Sequence, residues 1–212
     1  MILERPATIA PGAGVTLEGA LACPAGAAAG VVVCHPHPRY GGDMDNAVVA
    51  SATEACAHRG LATLRFNFRG VGRSRGAWDE GRGEQDDVRA ALAYLRGLLG
   101  STARVALAGY SFGAAMAAAV VAGGESPAGL ALISPPVSFP GWQRPGALPI
   151  DGPLLIVAGS EDTYCPRKAL AVLARALPAA TVTVIDGADH FFHSGHDQLA
   201  AALDAWASKL TV

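Results

Sequence analysis

Three residue types, far apart in the chain but in a telling order, carry the first suggestion of chemistry. Gly109-Tyr110-Ser111-Phe112-Gly113 sets a serine between two glycines. Further on, Glu161-Asp162 offers a carboxylate, and His190 follows in Gly187-Ala188-Asp189-His190-Phe191-Phe192. A serine hydroxyl is a weak nucleophile until a base stands within hydrogen-bond reach and a third group orients that base. Ser111 as nucleophile, His190 as general base and Asp162 as orienter would supply these roles. With 26 glycines in 212 residues the G-x-S-x-G pattern alone is weak. Its setting strengthens it, because an apolar run precedes the motif and a helix-forming run follows it. An abrupt turn from strand to helix strains the central residue and leaves no room for side chains two positions away, where only glycine fits. The competing reading is an ordinary strand–turn–helix with a capping serine.

Alternatives exist for the other two roles. Glu161 competes with Asp162 as orienter, and either reads otherwise as a solvated loop charge. His193 and His196 compete with His190, but both fall where the last helix begins. The oxyanion of an acyl-transfer intermediate needs two N–H donors. Phe112, after the nucleophile, supplies one from its backbone. The second belongs to the loop Cys34-His35-Pro36-His37-Pro38-Arg39-Tyr40-Gly41-Gly42 after the first buried strand. Pro36 and Pro38 have no N–H, so His37 between them is the candidate.

These residues need elements to hold them. Short apolar runs alternate with longer amphipathic stretches, the order of a mostly parallel sheet covered by helices. Ala7–Ile9 and Val15–Ala22 read as an antiparallel N-terminal edge. Gly30–Cys34, Leu61–Phe68, Arg104–Ala108, Gly129–Ile133, Pro153–Ala158 and Thr181–Ile185 read as further strands. Helices are expected near Asn46–His58, Glu84–Leu99, Ser111–Val121 and Pro166–Leu177. A last helix shows Leu199, Leu203, Trp206 and Leu210 on one side. Glu84, Asp86 and Asp87 are read as first-turn charges favourable to the helix dipole. Ser111 then stands at the carboxyl end of a central strand and at a helix N-terminus, where α/β sheets bind ligands and negative charge is favoured.

Taken together, these residues resemble the α/β-hydrolase superfamily, in its small, cap-less, dienelactone-hydrolase-like branch. The resemblance includes His35-Pro36-His37-Pro38, Gly41-Gly42, Asn46, Arg65-Phe66-Asn67-Phe68-Arg69-Gly70-Val71-Gly72 with Ser74 and Gly76, the serine elbow, and Ala188–Phe192. It implies an α/β-hydrolase fold and a predicted serine hydrolase. Dienelactone hydrolases proper use a cysteine nucleophile, so Ser111 is a departure that turns the substrate away from dienelactone. Ser134–Gly152, with five prolines, is too short for a separate lid domain, and Phe139 and Trp142 within it are expected to line an open site.

Other classes fit less well. His35, His37, His190 and Asp189 could share a metal, but Pro38-Arg39-Tyr40 adds no close ligand. Gly70-Val71-Gly72-Arg73-Ser74-Arg75-Gly76 has the wrong spacing for a dinucleotide loop, and Arg73 and Arg75 read as solvated charges. A net charge of −2 gives no reason to expect a nucleic-acid partner. A hydrophobic content of 51% with 16% charged residues excludes a disordered chain. Met1-Ile2-Leu3-Glu4-Arg5-Pro6 lacks a secretory pattern, no run reads as a membrane span, and four unpaired cysteines suit a reduced, cytoplasmic setting. The expectation is one domain over 1–212, monomeric or homodimeric. It hydrolyses a small ester through an acyl-serine, without cofactor or metal. Thioester and amide cleavage, and a non-catalytic binding role, remain the alternatives.

Overall fold

The structure, a computed structural model, describes residues 3–211 apart from 13, 140, 141, 143, 144 and 147. Met1, Ile2 and Pro140, used in reading the sequence, lie outside the described residues. Eight strands form one sheet in the order β1-β2-β4-β3-β5-β6-β7-β8. They are β1 (Arg5–Gly12), β2 (Val15–Ala22), β3 (Ala29–Cys34), β4 (Ala62–Phe66), β5 (Arg104–Tyr110), β6 (Leu130–Ile133), β7 (Leu154–Gly159) and β8 (Thr181–Ile185). β1 pairs antiparallel with β2, and β2 antiparallel with β4; every other pairing is parallel. A parallel step needs a crossover, and helices supply it for every parallel step except β6 to β7, where the described residues form none.

They are α1 (Ala47–His58), α2 (Arg82–Leu99), α3 (Phe112–Ala122), α4 (Arg167–Ala176) and α5 (His196–Ala207). Successive strand residues face opposite sides. Val31 and Val33 therefore join the core under α1 and α5, while Val32 and Cys34 join the core under α2, α3 and α4. Burial on both faces explains why the central strands read as unbroken apolar runs. The four apolar residues expected on one side of the last helix are all buried, although Leu210 lies in the short 3-10 turn beyond α5. Each contributes roughly 1.5–3 kcal/mol by leaving water.

Two expectations need correction. α2 begins at Arg82, two residues before Glu84, because the Glu84 carboxylate reaches back to the N–H groups of Gly81 (2.8 Å) and Asp79 (3.0 Å) and fixes the start. Asp86 and Asp87 thus lie beyond the first turn, and Asp87 is buried against Arg69 (2.7 Å) instead of complementing the dipole. The fourth strand is shorter than Leu61–Phe68: it ends at Phe66, where Asn67 and Phe68 turn to other work. Arg73 pairs with Glu18 at 2.7 Å while staying largely in solvent.

Between β6 and β7 the described residues form turns, bends and irregular chain, with no lid helix among them over the carboxyl ends of the strands. No helix among the described residues is long and apolar enough to cross a membrane.

Candidate active site

β5, in the middle of the sheet, ends at Tyr110 and α3 starts at Phe112, leaving Ser111 alone to make the turn. Its backbone, at φ 53 and ψ −115, is one that L residues rarely adopt. Neighbouring contacts enforce it. The Ser111 N–H donates to the Ile133 carbonyl (2.9 Å) and the Ser111 carbonyl accepts from Ala115 (3.1 Å). A Cβ at position 109 would collide with the Gly113 carbonyl, and one at 113 with the Cys34 carbonyl. The two glycines are thus required by the turn, and the alanines after them let α3 lie close to the sheet.

His190 comes from the loop after β8. Its Nε2 lies 2.9 Å from Ser111 Oγ, and its Nδ1 lies 2.9 Å from both oxygens of Asp162. Asp162, in the exit of β7, is 2% exposed. Its Oδ1 also accepts the N–H groups of Tyr164 and Cys165, both at 2.8 Å. Burial would raise this carboxyl's pKa. The hydrogen bonds and charge of His190 and the Cys165 N–H outweigh that and hold it below its ordinary value. Glu161 is exposed and points its backbone, not its carboxylate, inward: its N–H donates to Ala188.

The other histidines are placed elsewhere. His193 pairs with Asp189 at 2.7 Å on the surface, and His196 is the exposed first residue of α5. His35 is wholly buried, with Nδ1 donating to Pro36 O (2.6 Å) and Nε2 accepting from Phe68 N (3.0 Å). Both of its nitrogens are therefore spoken for, and burial lowers its pKa to about 4. Asp189 is likewise engaged by His193. The described residues contain no group of three or more His, Cys, Asp or Glu arranged to hold a metal ion.

His37 sits across from Ser111 at the cleft. Its carbonyl accepts the N–H groups of Tyr40 and Gly42, both at 3.1 Å, which winds the loop tightly. Among the described residues, no protein acceptor takes the N–H of His37 or of Phe112. Burial, and the charge of Arg39, lower the pKa of the His37 ring.

A cleft of about 530 Å³ opens over Ser111 and includes His37, Phe112, Phe139, Trp142 and His190 in its walls. Its size suits a small-molecule ligand. The sequence reading missed several participants. The Tyr110 hydroxyl donates to the His190 carbonyl (2.9 Å) and so ties the end of β5 to the histidine loop. Trp78, Met116 and Phe191 also line the cleft. A lone tryptophan after the glycine-rich 70–76 loop was the only local hint; the Tyr110 contact spans 80 residues and leaves no mark on local pattern.

Comparison with known proteins agrees with this architecture. Residues 29–209 match the family described as alpha/beta hydrolase domain. A Rickettsia prowazekii protein described only as uncharacterized is 33% identical over 180 residues, 82% of this chain and 76% of that one. An α/β serine hydrolase homologue from Coxiella burnetii is 34% identical, covers 95% of this chain and 96% of its own, and superposes with a TM-score of 0.83. A Xanthomonas campestris α/β serine hydrolase without a lid is 33% identical, with 95% and 92% covered and a TM-score of 0.83. With its central serine turn, its sheet order and its uncovered cleft, the chain belongs to the α/β-hydrolase family.

Proposed function

We propose that the protein is a serine hydrolase that cleaves a small carboxylic ester through an acyl-Ser111 intermediate. The observation that carries this reading is the unbroken line from Ser111 Oγ to His190 to Asp162, each step 2.9 Å, on a strained turn at the mouth of a cleft. Such a line supplies nucleophile, base and orienter in one chain of hydrogen bonds.

In the first step Ser111 Oγ bonds to the ester carbonyl carbon while its proton passes to His190 Nε2. Negative charge collects on the carbonyl oxygen, where the N–H groups of Phe112 and His37 are the donors. One such donor is worth about 3 kcal/mol in the transition state. The C–O bond to the alcohol then breaks, and the alkoxide takes the proton from His190. Water repeats the sequence: its proton goes to His190, its oxygen bonds to the acyl carbon, and Ser111 leaves with the proton restored. Asp162 stays ionised throughout and holds the Nδ1–H tautomer. The chemistry needs no cofactor. Ester is favoured over amide because an alkoxide is easier to expel than an amine nitrogen; thioester cleavage by the same residues is the alternative within this reading.

The test is intact-protein mass after exposure to a fluorophosphonate, with Ser111→Ala alongside. One adduct per chain, absent from the variant, is expected. No adduct on the folded wild type overturns the reading.

A further inference from the structure

The cleft concentrates the chain's rings. The sequence has 6 Phe, 4 Tyr and 3 Trp, and eight of these line the walls around Ser111. They do not stand singly. Trp78 lies 5.2 Å from Phe112 and 4.8 Å from His37, and His37 lies 4.7 Å from Tyr40. The succession runs on from Tyr40 to Phe139 (6.3 Å), to Tyr164 (6.2 Å), to His190 (4.6 Å) and to Phe191 (5.4 Å). A ring entering the cleft therefore meets a wall of mutually packed aromatic edges and faces, the partners with which aromatic rings pair.

The charge of the cleft is equally one-sided. Among the described residues, no Lys or Arg lines it, and Glu80 is its only carboxylate. The loop bearing Trp78 and Glu80 is a built wall. Glu80 holds a left-handed backbone, φ 54, while the N–H groups of Asp79 and Gly81 on either side are both bound by the buried Glu84 carboxylate. Among the described residues, a substrate carboxylate would find no cation lining the cleft, and would meet aromatic faces of negative potential and, at the rim, the exposed Glu80, which Arg82 approaches at 3.4 Å.

We infer that this site is selective for uncharged esters that carry an aryl ring on the acyl or the alcohol part, and that it turns away esters bearing a carboxylate. This rests on the serine-hydrolase reading and adds to it the class of substrate.

The experiment compares kcat/KM within matched pairs whose ring is too far from the carbonyl to change its reactivity. On the acyl side these are methyl 3-phenylpropanoate and methyl 3-cyclohexylpropanoate; on the alcohol side, 2-phenylethyl acetate and 2-cyclohexylethyl acetate. The aryl member of at least one pair is expected to lead by about tenfold, the scale of one or two aromatic contacts. A para-carboxylate on that ring is expected to cost at least about tenfold, and Glu80→Gln to recover part of it. Trp78→Leu and Phe139→Leu, each checked for a native circular dichroism spectrum, should shrink the aryl advantage. Equal rates within both pairs, a lead for cyclohexyl, undiminished turnover of the carboxylate ester, or no turnover of any of these esters would each overturn the inference. Fluorophosphonate labelling of Ser111 separates the two failures. Labelling without aryl preference removes the substrate class and leaves the serine hydrolase; loss of labelling removes both.

Discussion

At the scale of single residues the decisive contrast is between two adjacent carboxylates. Asp162 is buried, brings both carboxylate oxygens within 2.9 Å of His190 Nδ1 and accepts two backbone N–H groups, whereas Glu161 faces solvent. An amide in place of Asp162 keeps the shape but offers an N–H to the ring, which favours the wrong tautomer. Asp162→Asn is expected to lower kcat by about 10⁴, while Glu161→Gln changes it less than about twofold. Steady-state kinetics on the two variants measure this, and a larger loss from Glu161→Gln would exchange their roles. The sequence left this choice open for a physical reason. Which of two neighbouring loop carboxylates turns inward depends on the turn that Tyr164 and Cys165 close around Asp162, and spacing does not encode it. The serine and histidine were easier to read. The strained turn demands glycines on both sides of Ser111, and the collisions a Cβ would meet at 109 and 113 write that demand into the sequence.

Elements were legible where a single physical rule governs them. The 181–185 strand lies where its β-branched run ends on both sides, and α1 starts after Asn46, whose side chain caps the Val48 N–H at 2.9 Å. They were less legible where side chains reach across the fold. Glu84 does stand in the first turn, and its carboxylate also clamps the loop ahead of α2, whereas Asp87, read as a second dipole complement, lies beyond that turn and anchors Arg69. The same rules predict opposite outcomes for two glycine substitutions in helices. Gly113→Ala puts a methyl group into the Cys34 carbonyl in a packed core. It should cost about 1–3 kcal/mol or more, lowering Tm by roughly 2–12 °C in a chain of this size. Gly97→Ala, exposed on α2 with nothing within 4 Å of the new methyl group, should instead gain about 1 kcal/mol from helix propensity. Thermal unfolding of both variants reads the two signs, and a destabilised Gly97→Ala would mean that α2 depends on a contact outside this account.

At the scale of the whole molecule, polar residues of one sequence stretch join the sheet to the loop that faces the nucleophile. Arg65 bonds to Glu4, Asp45 and the Met44 carbonyl, Asn67 accepts the Met44 N–H, and the Phe68 N–H donates to His35. His35 is the keystone of that join, and its burial makes the join sensitive to acid. Its pKa is held at about 4 because the charged ring would lose its water, whereas the unfolded chain keeps the ordinary value of 6.5. Between these values the unfolded state binds a proton that the folded state refuses, so stability falls as pH drops from about 6.5 towards 4. His37, also lowered, acts in the same direction. Asp162 acts lower on the scale: its folded pKa lies below 3.8, so its contribution is lost only as pH falls beneath that value. Urea unfolding of the wild type should therefore lose roughly 2–3 kcal/mol between pH 6.5 and 4.5, from His35 alone. His35→Asn should start less stable at pH 7.5, because a buried N–H or carbonyl loses its partner, and should then decline much less over the same interval. A wild-type stability that stays flat from pH 6.5 to 4.5, or a variant that declines as steeply as the wild type, would show that the ring opens to water before it titrates and that the join is not held by its neutral form.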